Sequence, residues 1–414
     1  MSIILKKLLY SFKNYLGTLM ELLTIVHPLR TNYLPIIYEF SGQVTRHILF
    51  YDHDVVDKAY ATELKNSIER FNAKYNLSTE IKMIEIDEDS KKDMQQIAEV
   101  FEGKSKEIYL NGAGADTALF TVLSSIILRN DGKVIAYDSE DNSYNLITKS
   151  GFISKHIERS MNIEDFLLLM GEELLFENNK EEIEKKQEAL ELLFSDVKRL
   201  FNIRFLLKTR KTKELKSRYP KFLNALEHLE IVDEKGLIKG QEAFVRFGYL
   251  FEDFIYLQLK QFDFDDIKVG AKIRFDEQQV KRRQIDVTNE FDILIIKNNK
   301  IGFIECKIGD SLDPIHTIYK SDSVMEYFGV SSSSLIVNIE RNKTPHLKNA
   351  KKNFGQSLIY RAQTKKVSIY NAFDFSKNGF RSKIKEAFGV EVKKEFLELE
   401  NKKSLSELAD KWGK

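Results

Sequence analysis

The sequence predicts a two-domain α/β protein: a doubly wound parallel-sheet domain over residues 20–150, a helical connector over 151–240, and a second α/β domain over 241–414. Residues 1–19 form an N-terminal extension. Three observations carry this reading. Apolar runs alternate with stretches of helical period from Met20 to Tyr137, as in stacked βαβ units. A charged run of helix formers follows, KEEIEKKQEALELLFSDVKRLF. Beyond residue 241, one long helical pattern gives way to closely spaced strand patterns, two of them separated only by Asn298-Asn299. A chain of 414 residues is also too long for one compact core.

The extension is apolar and keeps helical spacing at Ile4, Leu5, Leu8, Leu9, Phe12 and Leu16. Lys6, Lys7 and Lys13 interrupt it before a membrane span of about 20 residues can form. No small-residue cleavage site follows. It reads as an amphipathic helix lying on the protein or on a membrane surface, or as a segment preceding a domain that opens at Met20. No membrane span is expected.

In the first domain, Leu22–Val26, His47–Tyr51, Glu80–Ile86, Glu107–Leu110 and Lys133–Tyr137 read as strands. Between them Leu34–Phe40, Ala59–Tyr75, Met94–Phe101 and Thr117–Leu128 read as helices, which makes the sheet parallel. The connector lacks β-type alternation until Ile231. Its basic run Lys208–Lys213 reads as a solvated face, with phosphate contact as the alternative. In the last domain a helix, Glu242–Phe262, precedes strands at Ile267–Phe275, Gln284–Val287, Phe291–Ile296 and Lys300–Cys306. A helix near 316–328 and a strand Ser334–Ile339 follow, so the sheet is partly antiparallel.

Lys and Arg number 64 against 63 Asp and Glu, so any surface for a polyanion must be local. Cys306 is the only cysteine, which excludes an intramolecular disulfide framework and a cysteine-based zinc site. A reducing cytoplasm fits that composition.

Chemistry concentrates in the two runs flanking Asn298-Asn299. Asparagine tolerates the left-handed backbone of a two-residue hairpin turn. Counting outward, Lys297 pairs with Lys300, Asp292 with Glu305, and Glu290 with Lys307. Directly opposed residues hold their Cβ atoms roughly 4.5–5.5 Å apart. Two carboxylates that close repel unless positive charge intervenes, and a hard divalent cation, Mn²⁺ or Mg²⁺, takes oxygen ligands of this kind. Alternation puts Glu305 and Lys307 on one face and Cys306 on the other, as a core thiol. Such a cation polarises a phosphoryl oxygen and makes water more acidic, while Lys307 neutralises developing charge. The bland alternative is a surface salt-bridge ladder, disfavoured because Glu305 and Lys307 end an apolar run.

Asp292, twelve intervening residues and Glu305-Cys306-Lys307 resemble the PD-(D/E)xK nuclease motif, with Glu290-Phe291 where the proline of the name would precede the aspartate. Upstream, Gly248-Tyr-Leu-Phe-Glu252-Asp253 resembles the helix of CRISPR ancillary nucleases that carries a further acidic residue. Tyr249 and Leu250 stand where that pattern has Gly and Trp. The resemblance implies a restriction-endonuclease-like fold, a catalytic set of Glu252, Asp292, Glu305 and Lys307, and metal ligands Asp292, Glu305 and Glu252. Lys320 matches the supporting polar position on the following helix. Arg282 and Arg283, with Lys320, are candidates for nucleic-acid contact.

Tyr109-Leu-Asn111-Gly112-Ala113-Gly114-Ala-Asp116-Thr117 joins a strand to a helix, where small residues let a ligand approach backbone N–H groups. Placed ahead of a nuclease motif, it resembles the signature loop of CARF domains, a Rossmann-like family that binds cyclic oligoadenylates. Asn111 and Gly114 are kept, whereas Asp116 stands where the pattern continues differently and its lysine is lacking. The family's other ligand loop maps to Val26–Asn32, with His27, Arg30 and Thr31 as contacts. The whole resembles the dimeric CARF nucleases of type III CRISPR systems. That implies a homodimer, a cyclic tetra-adenylate activator and cleavage of DNA, RNA or both. Two further readings remain at this stage: a nuclease of the same core acting without ligand, and a nucleotide-responsive binding protein whose core is inactive.

Overall fold

The computed structural model describes residues 20–86, 107–115, 117–194, 196–240, 242–275, 288–308, 314–329, 332–339, 356–372 and 376–398. The expected helix Met94–Phe101 and strand Gln284–Val287 lie outside them, as do Asp116, Arg282 and Arg283. The fold is mixed α/β, in two compact units. One comprises the described residues through Arg159 together with Asp165–Gly171; the other comprises Ser160–Glu164 and those from Glu172 onward. No helix among the described residues is long and apolar enough to cross a membrane.

The first unit is built on β1 (Met20–Ile25), β2 (Val44–Tyr51), β3 (Glu80–Glu85), β4 (Glu107–Asn111), β5 (Lys133–Asp138), β6 (Ser143–Thr148) and β7 (Gly151–His156). The order is β3-β2-β1-β4-β5-β6-β7. Strands β3 through β5 pair in parallel, and every residue of central β1 is buried, as a strand covered on both faces requires. The sheet is not wholly parallel: β6 and β7 add an antiparallel hairpin to one edge. Its polar, turn-rich sequence and the fully exposed β7 hide it from a search for apolar runs. From β1 the chain moves to β2 on one side, and from β4 to β5 on the other. The carboxyl ends of β1 and β4 thus flank a topological switch point, the place where open α/β sheets bind ligands.

The second unit's sheet runs β13-β12-β11-β10-β9-β8. Its strands are β8 (Glu173–Phe176), β9 (Asp266–Arg274), β10 (Thr288–Lys297), β11 (Lys300–Ile308), β12 (Ser333–Ile339) and β13 (Val367–Asn371). Pairing is antiparallel from β8 to β11 and parallel from β11 to β13. Phe247, Phe251, Phe254 and Ile255 of the helix Glu242–Leu259 share one core with Ile293, Ile304, Cys306 and Val337 of the sheet. Burying one such aromatic contributes roughly 1.5–3 kcal/mol. Leu190, Phe194 and Leu226, from the helices between residues 187 and 228, enter the same core. Phe194 stacks on Phe254 with ring centres 5.1 Å apart.

Asn298 and Asn299 both adopt positive φ, 51° and 62°, as the two-residue turn demands. The hairpin register runs from Lys297 opposite Lys300 to Ile293 opposite Ile304. The ladder ends there, short of the expected pairings of Asp292 with Glu305 and of Glu290 with Lys307; Glu290 is exposed and lies across from Lys272 of β9.

Candidate active site

Asp292 sits one residue beyond the last bridged hairpin pair, beside Gly270, whose φ is 57°. A Cβ on Gly270 would lie 2.6 Å from the Asn178 side-chain nitrogen, so only glycine leaves room for that amide where the aspartate leaves the ladder. The Asp292 carboxylate then accepts the backbone N–H of Cys306 at 2.6 Å. That bond fixes Asp292 against the strand carrying Glu305 and Lys307.

Lys307 Nζ lies 2.6 Å from Glu305 Oε1 and 3.5 Å from Asp292 Oδ2. Lys320, from the helix Pro314–Phe328, brings a second ammonium to 3.8 Å from Glu305 Oε1. Glu252 enters from the helix Glu242–Leu259 and is 7% exposed, like Glu305. The four expected catalytic residues therefore come together, with Lys320, expected as a nucleic-acid contact, beside them.

Negative charge is in excess at this site. Burial, then the neighbouring Asp292 charge, pushes the Glu252 carboxyl up to about 9. Burial, then Glu305, pushes Asp292 up to about 6. Burial alone would lower the Lys307 ammonium, but Asp292 and Glu305 outweigh it and hold its pKa above the ordinary value. The Cys306 thiol is buried in the core and pushed up by that burial, which disfavours the reactive thiolate.

The donor set fits a hard divalent cation. It offers carboxylate oxygens that are costly to ionise together and that a double positive charge would relieve. The oxygens of Glu252, Asp292 and Glu305 are not all within 4.8 Å of one another; among the described residues that spacing is met by Asp52, His53 and Asp54, the last two exposed.

In the first unit, the two loops singled out by sequence leave β1 and β4 at the switch point and meet. Gly114 has φ of 79°, and a Cβ on it would lie 2.9 Å from the Asn32 side-chain nitrogen. Gly112 is pressed against the Phe120 ring. Asn111 is fully buried; its amide donates to the Tyr33 carbonyl, and its oxygen accepts from the Ala113 N–H. Ala113 is buried with it, and Thr117 is exposed at the start of its helix. The His27 ring nitrogen Nδ1 accepts from the Leu29 N–H at 3.2 Å, and Thr31 lies half-buried in a short 3-10 turn.

Arg30 is 3% exposed. Its guanidinium pairs with Glu63 at 3.0 Å, donates to the Met170 carbonyl at 2.5 Å and lies 4.4 Å above the Tyr60 ring centre. Gly171, with φ of 92°, packs directly on the Arg30 and Glu63 pair. Tyr60 and Glu63, which hold Arg30, lie outside the motifs read from the sequence, and no local signal marks them; Asn32 lies in the predicted loop but not among its predicted contacts.

No protein-family model matches the chain, and no curated protein matches it. Solved structures do. Protein VC1899 from Vibrio cholerae aligns with a TM-score of 0.65 at 17% identity, over 85% of this chain and 94% of that one. Can2 from Sulfobacillus thermosulfidooxidans, solved in complex with cyclic tetra-adenylate, aligns with a TM-score of 0.62 at 15% identity, over 89% of this chain and 99% of that one. At these identities the likeness is one of fold, and it extends across both units.

Proposed function

We propose that this chain is a divalent-metal-dependent nuclease, cutting DNA or RNA, that a cyclic oligoadenylate activates in type III CRISPR antiviral defence. Cyclic tetra-adenylate is the first candidate activator, and a homodimer is the working form. The observation that carries the reading is the convergence of Glu252, Asp292 and Glu305 with Lys307 on a buried hairpin edge. Two further facts support the activator: the meeting of the Val26–Asn32 and Asn111–Thr117 loops at the switch point, and the shared fold with Can2, whose solved structure holds cyclic tetra-adenylate.

Asp292, Glu305 and Glu252 would hold Mg²⁺ or Mn²⁺, which when bound supplies Lewis acidity at a phosphoryl oxygen and makes water a better nucleophile. Asp292 is oriented by the Cys306 N–H, and Glu305 by Lys307. The Lys307 ammonium, held protonated by its two carboxylate neighbours, donates to the scissile phosphate and offsets the charge that builds as the bond breaks. Lys320 adds a second positive charge at the edge of the same group.

Purified protein should cleave plasmid, single-stranded DNA or RNA in Mn²⁺, with a rate that rises on adding cyclic tetra-adenylate. Cleavage that ignores every cyclic oligoadenylate would leave a ligand-independent nuclease of the same core. Ligand binding with no cleavage and no metal binding would leave a binding protein.

A further inference from the structure

The charge of this chain is unevenly placed. Residues 208–221 carry seven basic side chains (Lys208, Arg210, Lys211, Lys213, Lys216, Arg218, Lys221) and one acidic one, Glu214, while the whole chain is net +1. The stretch covers the end of the helix Val197–Lys208, the helix Thr212–Arg218 and the start of the helix Pro220–His228. All seven basic side chains are exposed. Glu214 pairs with Lys211 at 3.7 Å and with Arg218 at 3.0 Å. Among the described residues no ion pair engages Lys208, Arg210, Lys213, Lys216 or Lys221.

These residues are held on a folded scaffold rather than on a loose tail. Leu206, Leu207, Leu215, Phe222 and Leu226 are buried beneath them. The turn at Gly236 rests on Leu223, Thr212 and the Lys216 stem, and it presents exposed Lys235 beside them. Like charges fixed this close on short helices repel one another, and a polyanion relieves that repulsion. An exposed aromatic ring lies in the same place: Phe205 is 59% exposed, with the Lys211 ammonium 6.0 Å from its ring centre. Cations around an open ring suit a strand with unpaired bases, the backbone held by charge and a base stacked on the ring.

We infer that the surface formed by Lys208, Arg210, Lys213, Lys216, Lys221 and Phe205 binds the phosphodiester backbone of nucleic acid, single strands most tightly. This deepens the nuclease reading, since the bound strand is then the substrate. The surface serves as an anchor outside the carboxylate cluster.

The test uses full-length protein carrying Glu305→Gln, so that binding is read without cutting. Fluorescence anisotropy follows a labelled single strand, and a duplex of the same sequence, across a salt series. Combining Lys208→Gln, Arg210→Gln, Lys213→Gln, Lys216→Gln and Lys221→Gln should weaken binding at low salt by about tenfold or more. It should also flatten the logarithmic salt dependence on the single strand by about 0.7 for each phosphate no longer neutralised. The same five positions exchanged between Lys and Arg should keep both. Phe205→Ala should weaken the single strand and spare the duplex. Unchanged affinity and slope in the glutamine variant, or capture of phosphatidylserine vesicles in place of nucleic acid, overturns the inference. Because cleavage is not the readout, an altered slope sustains this surface even if the wild-type chain cuts nothing. An unchanged slope in a chain that does cut removes this surface alone.

Discussion

Lys307 Nζ lies 2.6 Å from Glu305 Oε1, two positions along the same strand, and reaches on to Asp292 across the hairpin. One ammonium thus bridges carboxylates from both arms, next to a third, Glu252, whose proton burial holds to about pH 9. That charge imbalance, with the loops at the switch point, governs how the protein should respond to substitution, pH and metal.

Lys307→Met removes the bridge while keeping an unbranched apolar stem. Cleavage should fall by roughly 10²–10³, the usual cost of deleting one preorganised charge at a reacting phosphate. Lys307→Arg keeps the charge on a broader fork and should recover only part of the rate. Single-turnover cleavage in saturating Mn²⁺ measures both, and a Lys307→Met enzyme of wild-type rate contradicts the assigned role.

Glu252 and Asp292 bind their protons more tightly folded than unfolded, with carboxyls at about 9 and about 6 against ordinary values of 4.5 and 3.8. The stability these groups contribute is complete below the ordinary values and is lost as pH rises through the raised ones. The melting temperature of metal-free protein should therefore drop between about pH 5 and 9. Mn²⁺ must displace these protons, so its stabilising effect should grow over the same range. Differential scanning fluorimetry with and without Mn²⁺ reads both trends. A Glu252→Gln variant should flatten the metal-free one, and an equally steep slope in that variant points to other groups.

Cys306 contributes its backbone N–H, not its thiol, to the site. Cys306→Ala should keep most of the cleavage activity while lowering stability by about 1 kcal/mol through the space left in the core. Alkylation of the native protein should be slow until it unfolds. Rapid native alkylation with matching loss of activity would make the thiol functional.

Gly114 stands at φ of 79° with Asn32 against it, so Gly114→Val both strains the backbone and pushes the two loops apart. Activation by cyclic tetra-adenylate should need at least about tenfold more ligand, corresponding to a loss of about 1.4 kcal/mol or more. Cleavage without ligand should be unchanged. Calorimetric titration beside a cleavage assay separates the two effects, and intact ligand affinity would remove these loops from the site.

The parts legible in the sequence are those set by short-range rules. Asn298-Asn299 announced its turn through the left-handed backbone that asparagine tolerates, and the turn fixed the register up to Ile293 and Ile304. The alternation around Glu305 and Lys307 followed from that register. Arg30 shows the limit. Its charge in a ligand loop was visible, but the partners that bury it, Glu63, Tyr60 and the Met170 carbonyl, lie far along the chain. The helices from 187 to 228 read as a polar connector because their outward faces carry the charge. Their buried faces, through Phe194 and Leu226, complete the core behind Glu252. The sequence marks Lys320 as a candidate for nucleic-acid contact, and the fold brings its ammonium beside Glu305.

The central claim is that Glu305 anchors a metal-dependent nuclease site switched on by a cyclic oligoadenylate. The most direct measurement is supercoiled plasmid and single-strand cleavage in Mn²⁺, with and without cyclic tetra-adenylate, by wild type and by Glu305→Ala. The account predicts ligand-stimulated cutting that EDTA abolishes and that Glu305→Ala lowers at least about 10²-fold while still binding the ligand. Equal cleavage by wild type and Glu305→Ala would contradict it.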